Sequence, residues 1–221
     1  MICDILIRSY WRDFAWLEYC LRSIEQHCSG FRVVILAIPE RSVPWLNRWP
    51  PLPSGMRLEI CPNYPDDYLG QQVTKLHADE VTDADLICHV DSDCIFVRPT
   101  SPHDLAPGGL PLVYMRPVGE LPRHWPWTRP TADFLGWQPA YDFMQHPPFV
   151  FPRWLYAELR DWSRRKKAVE LADWVLSRPP RGFSECNALA AYAHAFRRDA
   201  FTWISADDGS EERRVCRWYW S

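Results

Sequence analysis

The sequence predicts a single α/β domain, a mixed and mostly parallel sheet flanked by helices, and three observations carry that prediction. A chain of 221 residues is long enough for one well-packed domain and short for two. Near the start, an apolar run, an amphipathic helical stretch and a second apolar run succeed one another at the spacing of a βαβ unit, which implies parallel strands and a right-handed crossover. Further on, Leu86 to Val90 reads as a short buried strand that delivers two carboxylates, Asp91 and Asp93, to one place. Open α/β sheets collect ligands at that carboxyl edge.

The first strand is Ile2 to Ile7, broken only by Asp4, and it feeds a loop from Arg8 to Asp13. Phe14, Leu17, Leu21 and Ile24 then fall on one face of a 3.6-residue period, and Ser29-Gly30 supplies the stop. Phe31 to Ile38, apolar after Arg32, is a second strand covered on both faces. Residues 39 to 56 carry five prolines and two tryptophans and read as irregular, and Arg57 to Cys61 makes a third strand. Asp66-Asp67 caps a helix whose buried stripe is Leu69, Val73 and Leu76. Tyr68, Gln72 and Lys75 line an adjacent, exposed face, next to the two aspartates that follow the fourth strand.

From Pro99 to Pro152 the chain holds 12 prolines, three tryptophans (Trp125, Trp127, Trp137) and one expected strand, Leu112 to Met115. Loops this long in a compact domain are usually functional, so residues 116 to 146, His146 included, are expected to wall an acceptor pocket. A plain structural excursion would have the same composition. Phe149 to Phe151 is a short strand, and helices are expected from Trp154 to Arg164 and from Ala168 to Leu176. The basic run Arg164 to Lys167 reads as a solvated face. Ser184 caps a last helix, Glu185 to Phe196, and Val215 to Trp220 is an aromatic edge strand.

A hydrophobic share of 47%, a charged share of 24% and a net charge of -3 are those of an ordinary globular protein and leave a nucleic-acid partner unsupported. The eight cysteines form no C-x-x-C pair and no zinc spacing, and no leader precedes them, so free buried thiols in a reducing, cytoplasmic setting are expected, in a bacterium or a phage-infected cell. No apolar run approaches the roughly 18 to 20 residues of a membrane helix. Thirteen tryptophans, many in loop-like stretches, point to a ligand that presents flat or weakly polar faces.

Side chains at i and i+2 of an extended backbone point the same way, so Asp91 and Asp93 can face one hard cation, Mg²⁺ or Mn²⁺, and leave it open positions for phosphate oxygens. The same Asp-Ser-Asp trio also serves turns and helix caps. No G-x-G-x-x-G, Walker loop or G-x-S-x-G elbow is present, and nine glycines in the chain do not make a glycine-rich phosphate cradle. A phosphohydrolase of the haloacid dehalogenase type would need its Asp-x-Asp after the first strand, which lacks one. A metal on Asp91 and Asp93, helped by Lys75, remains as the way to hold a diphosphate.

Four segments resemble the nucleotide-diphospho-sugar transferases of the GT-A (Rossmann-like) fold, and among them small bacterial and phage glycosyltransferase-like proteins. They are Gln71-Gln-Val-Thr-Lys75-Leu, His89-Val-Asp91-Ser-Asp93-Cys-Ile-Phe-Val-Arg-Pro99, Pro148-Phe-Val-Phe151 and Ser184-Glu185-Cys-Asn187, in order over roughly residues 2 to 200. The resemblance implies a donor half over residues 1–99 and an acceptor half over 100–221. It also implies that Asp91 and Asp93 hold Mn²⁺ or Mg²⁺ against the diphosphate of a UDP-type donor, with Gln72 and Lys75 beside it. Base and ribose would lie on Ser9, Tyr10 and Trp11. Glu185 takes the position where inverting members carry the base that deprotonates the acceptor hydroxyl; an acid in a helix's first turn is also favourable with the helix dipole alone. Trp125, Trp127, Trp137 and His146 would meet the acceptor, a glycan, a lipid-linked sugar or, in a phage, a hydroxylated DNA base. Many such enzymes add a late His as third metal ligand; here none follows His194, which leaves Asp207, Asp208 or water. A sugar- or nucleotide-binding module without turnover is the rival expectation.

Overall fold

Alternation along the central strands gives the sheet two apolar faces, and so two cores. The computed structural model describes residues 1–46, 52, 55–208 and 214–219. Its elements run β1 (Cys3–Arg8), α1 (Phe14–His27), β2 (Val34–Pro39), α2 (Val43–Leu46), β3 (Met56–Cys61), α3 (Asp67–Leu76), α4 (Ala78–Val81), β4 (Leu86–Val90) and β5 (Cys94–Phe96). They continue with α5 (Pro102–Leu105), β6 (Leu112–Pro117), α6 (Thr128–Leu135), β7 (Tyr141–Asp142), β8 (Phe149–Pro152), α7 (Trp154–Lys167), α8 (Leu171–Leu176), α9 (Glu185–Phe196), β9 (Thr202–Ser205) and β10 (Cys216–Trp218). The main sheet has the order β3-β2-β1-β4-β8; its first four strands are parallel and β8 is antiparallel to β4. The fold is thus a mixed α/β single domain with a mostly parallel sheet flanked by helices, as its sequence predicts.

On one face, Leu6, Ile35 and Ile87 pack with side chains of α3, α6, α7, α8 and α9. On the other, Ile5, Ile7, Leu36, Cys88 and Val90 pack with α1 and with the small antiparallel pair β5-β10. Asp4, the polar break in β1, is fully buried and accepts from Arg32 at 3.0 and 2.6 Å. All eight cysteines are free, and Cys28 alone is half-buried. Among the described residues no helix is long and apolar enough to cross a membrane.

Several boundaries differ from those read in the sequence. β2 begins at Val34, after a bend at Arg32, although Arg32 N–H and the Val33 carbonyl already bond to β1. Residues 40–46 of the expected irregular stretch form short helical turns; 47–51, 53 and 54 lie outside the described residues, as does Trp220 at the end of the expected last strand. The proline-rich region holds α6, where Pro130 sits in the first turn, a place where its missing N–H is not needed. Gly136, left-handed at φ 81°, closes that helix. β9 pairs in parallel with β6, a contact that no local pattern announces.

Candidate functional site

β1 continues to β2 on one side, while the chain returns through β4 on the other, so the carboxyl ends of β1 and β4 bound the crevice where the strand order reverses. The register pairs Ile7 with Val90, which brings Arg8 alongside Asp91. A tight turn, with Cys94 N–H donating to the Asp91 carbonyl at 3.0 Å, then presents Asp93 to the same crevice. Tyr219 N–H donates to the Asp93 carbonyl at 2.9 Å, so the segment around β10 braces the turn.

Two helix starts face this edge. Asp66 caps α3 by accepting from Leu69 N–H at 2.8 Å, and Ser184 caps α9 by accepting from Asn187 N–H at 3.4 Å. Gly70 is required in α3 because a Cβ there would lie 2.6 Å from the Tyr64 ring. From these helices come Lys75 and Glu185. Lys75 Nζ lies 2.5 Å from Asp91 Oδ1 and 2.8 Å from Glu185 Oε1, with the lysine 3% and the glutamate 5% exposed. Gln71 Nε2 donates to the same Asp91 oxygen at 3.0 Å, and Gln72 Oε1 accepts from the Glu185 backbone N–H at 2.8 Å. The cavity encloses about 180 Å³, and Asp13, Trp16, Tyr68, Trp127, Arg181 and Trp218 complete much of its wall.

Charge is unevenly matched there. Burial opposes the Lys75 ammonium, yet Asp91 and then Glu185 hold its pKa well above the usual lysine value. Among the described residues Asp93 pairs with no cation: burial first, then the Asp91 carboxylate, push it up to about 6, with Lys75 opposing from a distance. Asp13 is likewise pushed up to about 6, chiefly by burial, with Arg8 opposing and Asp91 adding. Asp91, Asp93 and Cys94 offer ligand atoms within 4.8 Å of one another. Burial raises the Cys94 thiol well above its normal pKa, so it is a poor donor to a hard cation. The carboxylates of Asp91 and Asp93 fit one, in a cavity that gathers four acids, Asp13, Asp91, Asp93 and Glu185, around the Lys75 ammonium and Arg8.

A family model described as a family of unknown function (DUF6492) matches residues 29–207. The chain belongs to this family. No curated protein matches it. The family segment includes Lys75, Asp91, Asp93 and Glu185, whereas Arg8, Asp13, Trp16 and Trp218, which share the cavity, lie outside it.

Of the residues singled out in the sequence, Gln72, Lys75, Asp91, Asp93, Trp127 and Glu185 meet in the cavity. Lys75 and Gln72 are buried there, not on an exposed helix face as expected. Ser9 is buried and accepts from Ser92 Oγ at 2.8 Å, which fixes the turn from behind. Tyr10 and Trp11 line a neighbouring cavity with Arg41 and Asp67, sharing Tyr68 with the first. Trp125 lies outside the main cavity, half-buried in the turn after Pro122. Trp137 stands edge-on to Trp162 and Phe196 at 5.8 and 5.7 Å, packed against the core. His146 stacks edge-on against Tyr114 at 5.0 Å in a separate cavity with Arg98 and Arg214. Asp207 pairs with Arg116 at 2.8 Å and, like Asp208, lies outside the main cavity. Sequence reading missed Arg8, Asp13, Trp16, Arg181 and Trp218. The one available signal was position: Arg8 and Asp13 bound the loop after the first strand, where ligands gather.

Proposed function

We propose that the chain is a metal-dependent glycosyltransferase of the GT-A type that moves a sugar from a UDP-type nucleotide diphosphate to a hydroxyl acceptor. The observation that carries this is the Lys75 ammonium standing between Asp91 and Glu185, in one cavity with Asp93 at the switch point of the sheet. Asp91 and Asp93 would hold Mn²⁺ or Mg²⁺, which supplies charge neutralisation to the departing diphosphate. Gln71 and Lys75 fix Asp91 from the α3 side, and Gln72 fixes the start of α9 through the Glu185 backbone. Both contacts found for the Glu185 side chain, from Lys75 and from the Cys186 thiol, fall on Oε1, which leaves Oε2 to take the acceptor proton as the new glycosidic bond forms. Tyr68 and Trp127, near parallel at 7° with centroids 6.1 Å apart, and Trp16 and Trp218 offer faces for sugar rings.

Transfer to a hydroxyl, or slow hydrolysis of one member of a sugar-nucleotide panel with Mn²⁺ present, is the expected result by mass spectrometry. A second reading, a sugar-nucleotide-binding module, is favoured by the ion pair on Glu185, since Lys75 already engages one of its carboxylate oxygens. Metal-dependent binding without any turnover across the panel would establish it instead.

A further inference from the structure

At the end of β1 the Arg8 side chain is only 1% exposed, yet its Nε is buried with no hydrogen-bond partner among the described residues. Nη2 reaches Asp67 Oδ1 at a long 3.4 Å, and Arg41 already holds that same oxygen at 2.5 Å. A guanidinium carries five donors in a planar fork and stays charged at any ordinary pH. Removing such a group from water is costly unless acceptors replace the water, and here Nε is buried and unanswered while Nη2 has only a long, shared acceptor. The structure would tolerate this if the missing acceptors arrive with a ligand. Arg8 lines the main cavity, and the β1-β4 register puts it beside Asp91.

We propose that Arg8 is a phosphate-binding residue that takes diphosphate oxygens from the β1 side of the cavity, so that the chain binds inorganic pyrophosphate even without a divalent ion. This rests on the diphosphate reading of the cavity given above. Planar, paired donors match phosphate oxygens, and hydrogen bonds to charged groups are the strong ones. Arg41 keeps Asp67 compensated when Arg8 turns to a ligand, so engagement leaves no orphaned acid behind.

The test is calorimetry of inorganic pyrophosphate in magnesium-free buffer with the full chain, Arg8→Met, Arg8→Lys and Asp67→Asn. Wild type is expected to bind, Arg8→Met to bind about ten- to a hundredfold more weakly, and Arg8→Lys to recover only part, since an ammonium lacks the fork. Asp67→Asn frees Nη2 and is expected to bind at least as tightly as wild type. If Asp67→Asn loses binding as Arg8→Met does, Arg8 serves the fold and the proposal is overturned. Equal binding by wild type and Arg8→Met, or no binding by wild type, overturns it as well. Should Arg8-dependent pyrophosphate binding stand while no sugar nucleotide is turned over, the transferase reading fails and this assignment survives. Full transferase activity in Arg8→Met sinks the assignment and leaves the transferase standing.

Discussion

The end of α3 lies between two buried ion clusters of opposite character. At Leu76 and beyond, Arg160 from α7 forks onto Asp79, Nη1 to Oδ1 at 2.6 Å and Nη2 to Oδ2 at 2.7 Å, and Nη1 also donates to the Leu76 carbonyl at 2.7 Å. One residue earlier, Lys75 serves both Asp91 and Glu185, while among the described residues Asp93 in the same cavity has no cation of its own. The first cluster is closed: each charge has its match, and a helix end is capped. The second is open, with Asp91 27% exposed to the cavity. Buried charge that is fully matched holds elements together, whereas buried charge left short of partners points to a ligand.

Breaking one cluster should therefore cost activity, and breaking the other should cost stability. Asp91→Asn is expected to abolish turnover while the thermal midpoint stays near that of wild type. Conversely, Asp79→Asn should destabilise the fold by about 3–5 kcal/mol, as removal of one partner of a buried pair does, with activity per folded molecule unchanged. Chemical denaturation and turnover measured on both variants check the contrast, and equal loss of activity in both would erase it.

Within the open cluster, Glu185→Gln should slow an inverting transfer by about a hundredfold or more, with binding of donor retained. Single-turnover kinetics reads it, and an unchanged rate would remove Glu185 as the base. Trp16→Ala should raise KM by about tenfold, the worth of one stacked ring, and leave kcat nearly intact.

Local chemistry explains what the sequence disclosed. Strands β1 and β4, the cap residues Asp66 and Ser184, and the closeness of Asp91 and Asp93 are short-range and legible without a fold, although a tight turn, not the extended backbone expected, brings the two acids together. The rest of the site is assembled across long distances. Asp13 enters the cavity because α1 starts beside the β4 edge, and Trp218 because β10 pairs with β5, neither of which periodicity encodes. Composition also misled: the proline-rich region suggested a continuous acceptor wall, yet Trp137 went to the core and His146 to another cavity, and Trp127 reached the site with Met144. Lys75 looked exposed because its helical face is polar. That face is polar because it packs on acids.

The smallest expected effect is on pH. Asp93 and Asp13 carry raised folded pKa values of about 6, so the folded chain holds protons that the unfolded chain, with carboxylates near ~4, has released. Stability of the metal-free protein should then rise as pH falls from about 7 towards about 5, while the thermal shift given by Mn²⁺ shrinks over the same range. Thermal unfolding at both pH values with and without Mn²⁺ measures it. A Mn²⁺ shift that is larger at the lower pH would contradict the open-cluster account.

The most direct test of the central claim is calorimetry of UDP with and without Mn²⁺, on wild type and Asp91→Asn. The account predicts that Mn²⁺ strengthens binding to wild type and has no effect on Asp91→Asn. Binding that is indifferent to Mn²⁺ in wild type, or equally strengthened in the variant, would contradict a metal role for Asp91 and Asp93.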